Sequence, residues 1–297
     1  MNYIKAIAEM RSISAAAESL GISQPALSSH LKKTENEVGA VLFDRSKQPL
    51  ELTEAGKAYL DYLDRREALD KELQQSIADM EGLVTGKLVI GGAAFFNVAY
   101  TPRAVAKYAS VYPGVDIEIV DGKVPFLTTE ALKGRIDLFL TPAPDEPDRF
   151  VYEELLKEKV YLAVPSKWDI NKKLNNETLT KEEFQELCKY PFISLKEDQN
   201  IGQMMQKLLV KYGCRPEKII RAEQTMTSLA LTIAGVGVSL ITESSVRTSG
   251  VVRLPKLYLI APEICTRSMY VAYPRNKYLS RAASEFIRTL KTTSARI

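Results

Sequence analysis

The spacing of apolar and polar positions changes character twice along this chain. Tyr3, Ile4, Ile7 and Met10 recur at helical steps, which predicts a first helix with one buried face. Ser14 is placed to cap a second short helix over residues 15–20, a run of good helix formers. Gly21-Ile22 then supplies a tight turn, in which glycine takes a positive φ without strain. Ser23 caps a third helix, and Pro25 stands in its first turn, where a missing N–H costs nothing. On that helix Ala26, Leu27, Leu31 and Thr34 are expected to face inward, and Gln24, Ser28, Ser29, Lys32 and Lys33 outward. From Thr53 to about Gly82 no proline occurs, and Tyr59, Tyr62, Arg66, Leu69, Leu73, Ile77 and Met80 recur at steps of three or four. This predicts a helix about 40 Å long at roughly 1.5 Å per residue. Its apolar seam resembles a coiled coil, broken by Arg66 and flanked by charges, and favours dimerisation over packing on its own domain.

After Val84-Thr85-Gly86 the pattern becomes one of strands alternating with helices. Residues 87–91, 115–120 and 136–140 read as strands, with helices over 101–112 and 127–133 between and around them. Residues 160–164 lead into a second such unit, with strands over 192–194, 219–222 and 237–241 and helices over 202–212 and 227–234. A strand over 269–273 and a helix over 279–290 return to the first unit. Such alternation implies a largely parallel sheet covered by helices. Two α/β lobes crossed twice by the chain form a hinged clamp, with ligands expected at the strand carboxyl ends.

Composition narrows the function more by exclusion than by assertion. There is one histidine, His30, so a His-based metal site or a Ser-His-Asp triad is almost excluded, and no cofactor or metal is expected. Cys188, Cys214 and Cys265 lie far apart and make no CxxC pair, which fits a reducing cytoplasm. No apolar run is long enough to span a membrane, and the first residues lack a signal-peptide pattern. Net charge is +3, and residues 1–60 balance seven basic against seven acidic side chains. A nucleic-acid partner therefore has to be argued from position and not from bulk charge.

Position does argue for it. Two short helices across a glycine turn, the second showing small polar groups at its N-terminal end, describe a helix-turn-helix. The Gln24 amide can pair bidentately with adenine, Ser28 and Ser29 can reach base edges or phosphate, and Lys32 and Lys33 can neutralise phosphates. A solvated helix in any small bundle would show the same pattern. The run Ser12-Ile13-Ser14-Ala15-Ala16-Ala17-Glu18-Ser19-Leu20-Gly21-Ile22-Ser23-Gln24-Pro25-Ala26-Leu27-Ser28, however, resembles without a gap the signature of the LysR-type transcription regulators. The likeness continues through Glu35, Gly39, Leu42-Phe43-Asp44-Arg45 and Leu52-Thr53-Glu54-Ala55-Gly56, which resemble that family's wing and the entry to its linker helix. The sequence departs from the pattern in a short first helix, in His30 for the usual glutamine, and in Thr34 where leucine is favoured.

The resemblance implies an α/β protein in the main. An all-α winged helix-turn-helix over 1–58 would bind double-stranded operator DNA, and a linker and dimerisation helix would cover 54–82. A two-lobed, periplasmic-binding-protein-like effector domain would cover 87–297. Its first lobe would hold 87–163 and 268–297, and its second 164–267. Operator contacts are expected from Ser23, Gln24, Pro25, Ser28, Ser29, Lys32, Lys33 and, in the wing, Arg45. Gly134-Arg135-Ile136-Asp137-Leu138 and Ala234-Gly235-Val236-Gly237-Val238 resemble recurring segments of the effector domain. By the same likeness, a small-molecule effector would meet Ala93, Ala94 and Phe95 in a loop after the first strand, Pro125, Thr141, and from the opposite lobe Lys196 and Thr227. Where relatives carry hydroxyls this chain has Ala93, Ala94 and Pro125, which implies a less polar or aromatic effector, with a carboxylate held by Lys196 and backbone N–H groups. A homodimer or homotetramer in the cytoplasm, without enzymatic activity, is the expectation. The competing classes are a solute-binding protein or enzyme on the same α/β fold, and a DNA-binding protein whose α/β domain only assembles oligomers. A dinucleotide loop at Gly235 and Gly237 lacks the rest of its motif.

Overall fold

The computed structural model describes residues 2–82, 84–174 and 178–294. The chain divides into two compact units, Met1–Gln74 and Gln75–Ile297.

The first unit packs α1 (Tyr3–Met10), α2 (Ile13–Ser19) and α3 (Gln24–Val38) around Ile4, Ile7, Ala16, Ala17, Leu27 and Leu31. Met10 is left largely in solvent at the end of α1, where its turn runs off the core. The second helix begins two residues earlier than its cap was expected. Ser12, not Ser14, accepts the Ala15 amide, because that register turns Ala16 and Ala17 into the core. Ser23 does cap α3, accepting from the Ala26 amide, with Pro25 in the first turn. Only Leu27 and Leu31 of its expected inward set are buried. Ala26 is exposed, and Thr34 is half-buried with its hydroxyl donating to the His30 carbonyl. A two-stranded wing follows, β1 (Phe43–Asp44) antiparallel to β2 (Glu51–Leu52), and runs into α4 (Glu54–Met80). Gly56 lets the wing close on this helix: a Cβ there would stand 2.0 Å from the Leu42 carbonyl oxygen. Lys5 ties α1 to α4 through Asp64 and Glu67, at 2.6 Å each.

The second unit is built on a nine-stranded mixed sheet. Its first half has β3 (Gly86–Gly92) parallel to β4 (Val115–Asp121) and to β5 (Leu138–Thr141). Around it lie α5 (Ala94–Ala99), α6 (Thr101–Val111), α7 (Val124–Leu132) and α12 (Arg281–Ser294). The second half has β7 (Phe192–Leu195) parallel to β8 (Ile219–Ala222) and to β9 (Val238–Thr242). It carries α8 (Lys181–Leu187), α9 (Asn200–Tyr212), α10 (Thr225–Ile233), α11 (Glu243–Thr248) and the short β10 (Lys256–Tyr258). Two long strands join the halves, β6 (Phe150–Val164) and β11 (Thr266–Pro274). Residues 150–159 of β6 pair antiparallel with β11, while 160–163 pair with β9 and 162–164 with β10. The change from one half to the other thus falls near residue 160. Val160–Ala163, assigned above to the first lobe, lie in the second half of the sheet.

Each half has its own core. Leu88, Ile90, Tyr108, Leu138, Phe286 and Leu290 fill the first, and Phe184, Phe192, Met205, Leu208, Val238 and Leu240 the second. The end of α4 is fixed to the first half at Asp79, whose Oδ2 accepts from the Tyr278 hydroxyl at 2.6 Å and the Arg281 amide at 2.7 Å. That carboxylate takes up the first amide of α12, while Ser280 caps the helix by accepting the Ala283 amide at 3.2 Å. Among the described residues no helix is long and apolar enough to cross a membrane.

Candidate nucleic-acid interface and ligand cleft

On α3 the burial of Leu27 and Leu31 fixes which face is offered to a partner. Ser23, Gln24, Pro25, Ser29, Lys32 and Lys33 are exposed, and Ser28 is half-buried beside them. Gln24 Nε2 donates to Ser28 Oγ at 3.0 Å, so the amide is held along the helix at its exposed N-terminal end. Lys33 lies 3.9 Å from Glu37 one turn on. The helix N-terminus adds partial positive charge near the same groups. Arg45 differs from expectation. It is exposed on the wing, but its guanidinium already pairs with Glu35 Oε2 at 3.0 Å, while Glu35 Oε1 accepts the Leu42 amide. Arg45 and Glu35 therefore fasten the wing to α3, a bond that sequence position alone does not disclose.

The expected effector residues gather at the carboxyl ends of strands, though not all in the roles anticipated. Ala93 and Ala94 are not a loop: Ala93 is the cap residue of α5, which begins at Ala94. Phe95 is half-buried against the first core and meets Phe96 edge-on, with ring centres 6.1 Å apart. Pro125 is exposed in the first turn of α7, and Thr227 is exposed in the first turn of α10. Thr141 is buried, its hydroxyl donating to the Ala143 carbonyl at 2.9 Å and so shaping its own loop. Ser194, two residues before Lys196, is buried and donates to the Leu195 carbonyl.

Lys196 is already engaged. It stands at the exposed end of β7 but is paired with Glu223 at the end of β8, so its charge is already balanced. The carboxylate of Glu223 is held below its usual range by Lys196 first, with Lys123 adding to the effect. Lys123, before α7, lies 3.9 Å from Asp198, beyond β7. This contact brings the loops after β4 and β7 together across the two halves. The sequence reading missed Lys123, Asp198 and Glu223, for which it holds no signal beyond their place after predicted strands. It also missed Asn97, whose Nδ2 donates to Asp121 Oδ1 at 2.7 Å and to the Gly92 and Val120 carbonyls at 3.3 Å, tying the ends of β3 and β4 together. The caps of α5, α7 and α10 make no side-chain hydrogen bond to the helix, but in α7 Pro125 has no amide and the Phe126 amide donates to the Lys123 carbonyl, and in α5 the Phe96 amide donates to the Ala93 carbonyl.

Where β6 and β11 cross between the halves lies a buried ion pair. Glu158 and Arg267 face each other in the strand register and are 4% and 7% exposed. Arg267 Nε donates to Glu158 Oε1 at 2.6 Å, and its Nη2 stands 2.5 Å from the same oxygen. Glu158 Oε2 accepts the Ser244 amide at the start of α11 at 3.0 Å. The Arg267 guanidinium lies over the Phe96 ring at 5.4 Å. Burial pushes the nearby Tyr100 phenol well above its ordinary range, and the charge of Glu158 pushes it further. Phe96 and Tyr100 belong to the first half and Ser244 to the second, so the pair sits where the halves meet.

Comparison with known proteins agrees with this architecture. A family model described as "LysR substrate binding domain" matches residues 81–295, and one described as "Bacterial regulatory helix-turn-helix protein, lysR family" matches residues 1–57. The chain is 29% identical over 307 residues to an uncharacterized HTH-type transcriptional regulator, YcgK, of Bacillus subtilis, covering 97% of this chain and 91% of that one. In fold it is similar to full-length OxyR from Pseudomonas aeruginosa, with a TM-score of 0.71 at 18% identity, covering 98% and 92% of the two chains. It is likewise similar to full-length CbnR complexed with its target DNA, with a TM-score of 0.68 at 22% identity, covering 98% and 97%.

Proposed function

Because the chain belongs to the LysR family, and is thus a DNA-binding regulator carrying a ligand-binding domain, we propose that α3 reads operator DNA and that the cleft between the two lobes holds the effector. The domains are read as a DNA-binding unit over 1–58, a linker helix over 54–82 and an effector domain over 87–297. The protein works in the cytoplasm as a homodimer or homotetramer, and as a regulator and not an enzyme.

One observation carries the DNA reading. Leu27 and Leu31 bury the inner face of α3, leaving Gln24, Ser29, Lys32 and Lys33 exposed. Gln24 is held by Ser28 and exchanges that bond for an adenine edge, while Lys32 meets phosphate. Gln24→Ala should cost roughly 1–3 kcal/mol at the cognate operator and relax preference at one base pair in each half-site. Lys32→Ala should weaken specific and non-specific binding alike and lower the salt slope by about one. Titrations of operator and scrambled duplexes across salt concentrations separate the two effects. Unchanged operator affinity in both variants would remove α3 from the interface.

The effector reading rests on the opposed loops after β4 and β7. Ala93, Ala94, Phe95, Pro125 and Thr141 would line it from one lobe, and Lys196 and Thr227 from the other. With few hydroxyls and with Phe95 at the edge, the site suits a less polar or aromatic ligand. With Lys196 committed to Glu223, a ligand carboxylate would rely chiefly on the first amides of α10. Thermal-shift measurements with aromatic and aliphatic monocarboxylates should find aromatic members that raise the apparent stability. Phe95→Ala should abolish that rise while operator affinity without ligand stays near wild type. A ligand whose stabilisation survives Phe95→Ala binds elsewhere.

A further inference from the structure

Three cysteines that look isolated in the sequence are not equivalent in the fold. Cys188 caps the C-terminal end of α8 and is half-buried, while Cys214, two residues beyond α9, is buried. Their Cα atoms are 5.9 Å apart and their sulfurs are bonded. That separation lies within the range a disulfide spans without backbone movement. The surroundings hold the two ends together independently of the bond. Gln185 Nε2 donates to the Tyr212 carbonyl at 2.8 Å, and the Phe184 and Tyr212 rings pack with centres 5.2 Å apart. Cys265, by contrast, is buried, and burial pushes its thiol up to about 12, so it stays protonated and inert.

We propose that Cys188 and Cys214 are a reversible dithiol–disulfide couple that fastens α8 to the end of α9. The bond closes a loop of sequence separation 26 that contains β7, Lys196, Asp198 and α9, the second-lobe wall of the proposed cleft. Oxidation therefore stiffens the lobe that would receive the ligand. The oxidant is a low-molecular-weight disulfide, R–S–S–R. The half-buried Cys188, as thiolate, attacks one sulfur of it and releases RS⁻. The Cys214 thiolate then attacks Cys188 Sγ and releases the second RS⁻. Two electrons pass from the cysteine pair to R–S–S–R, and the two cysteine protons leave with the thiols RSH. Exchange is slow, because the C-terminal end of α8 and the Phe184 carbonyl, 3.2 Å from Cys188 Sγ, disfavour the thiolate.

The test uses the full-length protein equilibrated with glutathione disulfide or with dithiothreitol, then denatured and counted with a maleimide. One reactive thiol is expected after oxidation and three after reduction, with the oxidised intact mass two hydrogens lighter. The oxidised form should melt roughly 5–10 °C higher, from closing a loop of this length in a chain of this size. Cys188→Ser and Cys214→Ser should each abolish the redox-dependent shift, and Cys265→Ala should keep it. Three reactive thiols after oxidation, two attached glutathione groups in place of the internal bond, or equal melting in both states would overturn the couple. None of these readouts depends on DNA or effector binding.

Discussion

Arg267→Ala should destabilise the effector-binding unit by about 3–5 kcal/mol, the usual cost of stripping one partner from a buried ion pair. The remaining carboxylate of Glu158, 4% exposed, would keep the Ser244 amide and the nearby Tyr100 phenol but no opposite charge. Two further losses follow from the geometry. The Phe96 ring would lose the cation above it. The crossing of β6 and β11 would lose its only described pairing of opposite charges buried on both sides. Glu158→Leu combined with Arg267→Met should recover most of the loss, since two apolar side chains of similar volume leave no charge behind. Urea unfolding followed by circular dichroism gives the comparison. A single variant within about 1 kcal/mol of wild type would show that water reaches the site and solvates the orphaned carboxylate.

The two outcomes also separate stability from specificity. If the double variant matches wild type in stability but responds differently to ligand, the pair is kept for the geometry of the crossing. The ion pair joins residues 109 positions apart, and that distance explains why the sequence did not disclose it. Residues 150–159 carry Glu153, Glu154, Lys157, Glu158 and Lys159, a composition that discourages a strand assignment. Each acidic member finds a distant partner instead. Glu153 accepts from Tyr273 and Lys291, Glu154 from Ser268, and Glu158 from Arg267. A strand stabilised by cross-strand charges cannot be told from a loop until its neighbours are known.

What was legible is what local physics decides. The Ser23 cap, Pro25 and the Leu27–Leu31 spacing act within one or two turns, and α3 lies where they put it. The switch to strand periodicity after Gly86 and the buried run of β5 were likewise readable. Where two local solutions compete, packing chose between them. Ser12 and Ser14 are both competent caps, and only the burial of Ala16 and Ala17 selects the first. Ala93–Phe96 read as a loop because four residues show no period, yet α5 forms there with Phe96 turned into the core. The candidate cleft was legible as a set of strand ends and illegible as chemistry. Nothing near Lys196 in sequence announces Glu223, and nothing near Cys188 announces Cys214.

The exposed face of α4 carries the other large expectation, replacement of Leu69 and Leu73 by lysine. Tyr62, Leu69, Leu73, Ile77 and Met80 are 53%, 65%, 62%, 50% and 82% exposed, whereas Tyr59 is half-buried against the helix-turn-helix core. The exposed apolar stripe thus starts at Tyr62 and not at Tyr59. Side chains of this kind at steps of three, four and seven form an apolar stripe that water disfavours, and a second copy of the helix is the proposed cover. Burying one leucine contributes about 1.5–3 kcal/mol, so the four leucines of a symmetric pair contribute roughly 6–12 kcal/mol. Losing even half of that raises the dissociation constant by about a hundredfold or more, before four added charges repel one another across the seam. The double variant should therefore lose assembly through α4 while its helix content stays unchanged, because lysine is a good helix former. Operator binding should lose its cooperativity together with the dimer, since two recognition helices must be presented one helical turn, or a multiple of it, apart. Light scattering and circular dichroism on the same sample decide it. Unchanged mass with unchanged helicity would mean that this stripe is covered by something other than a second α4.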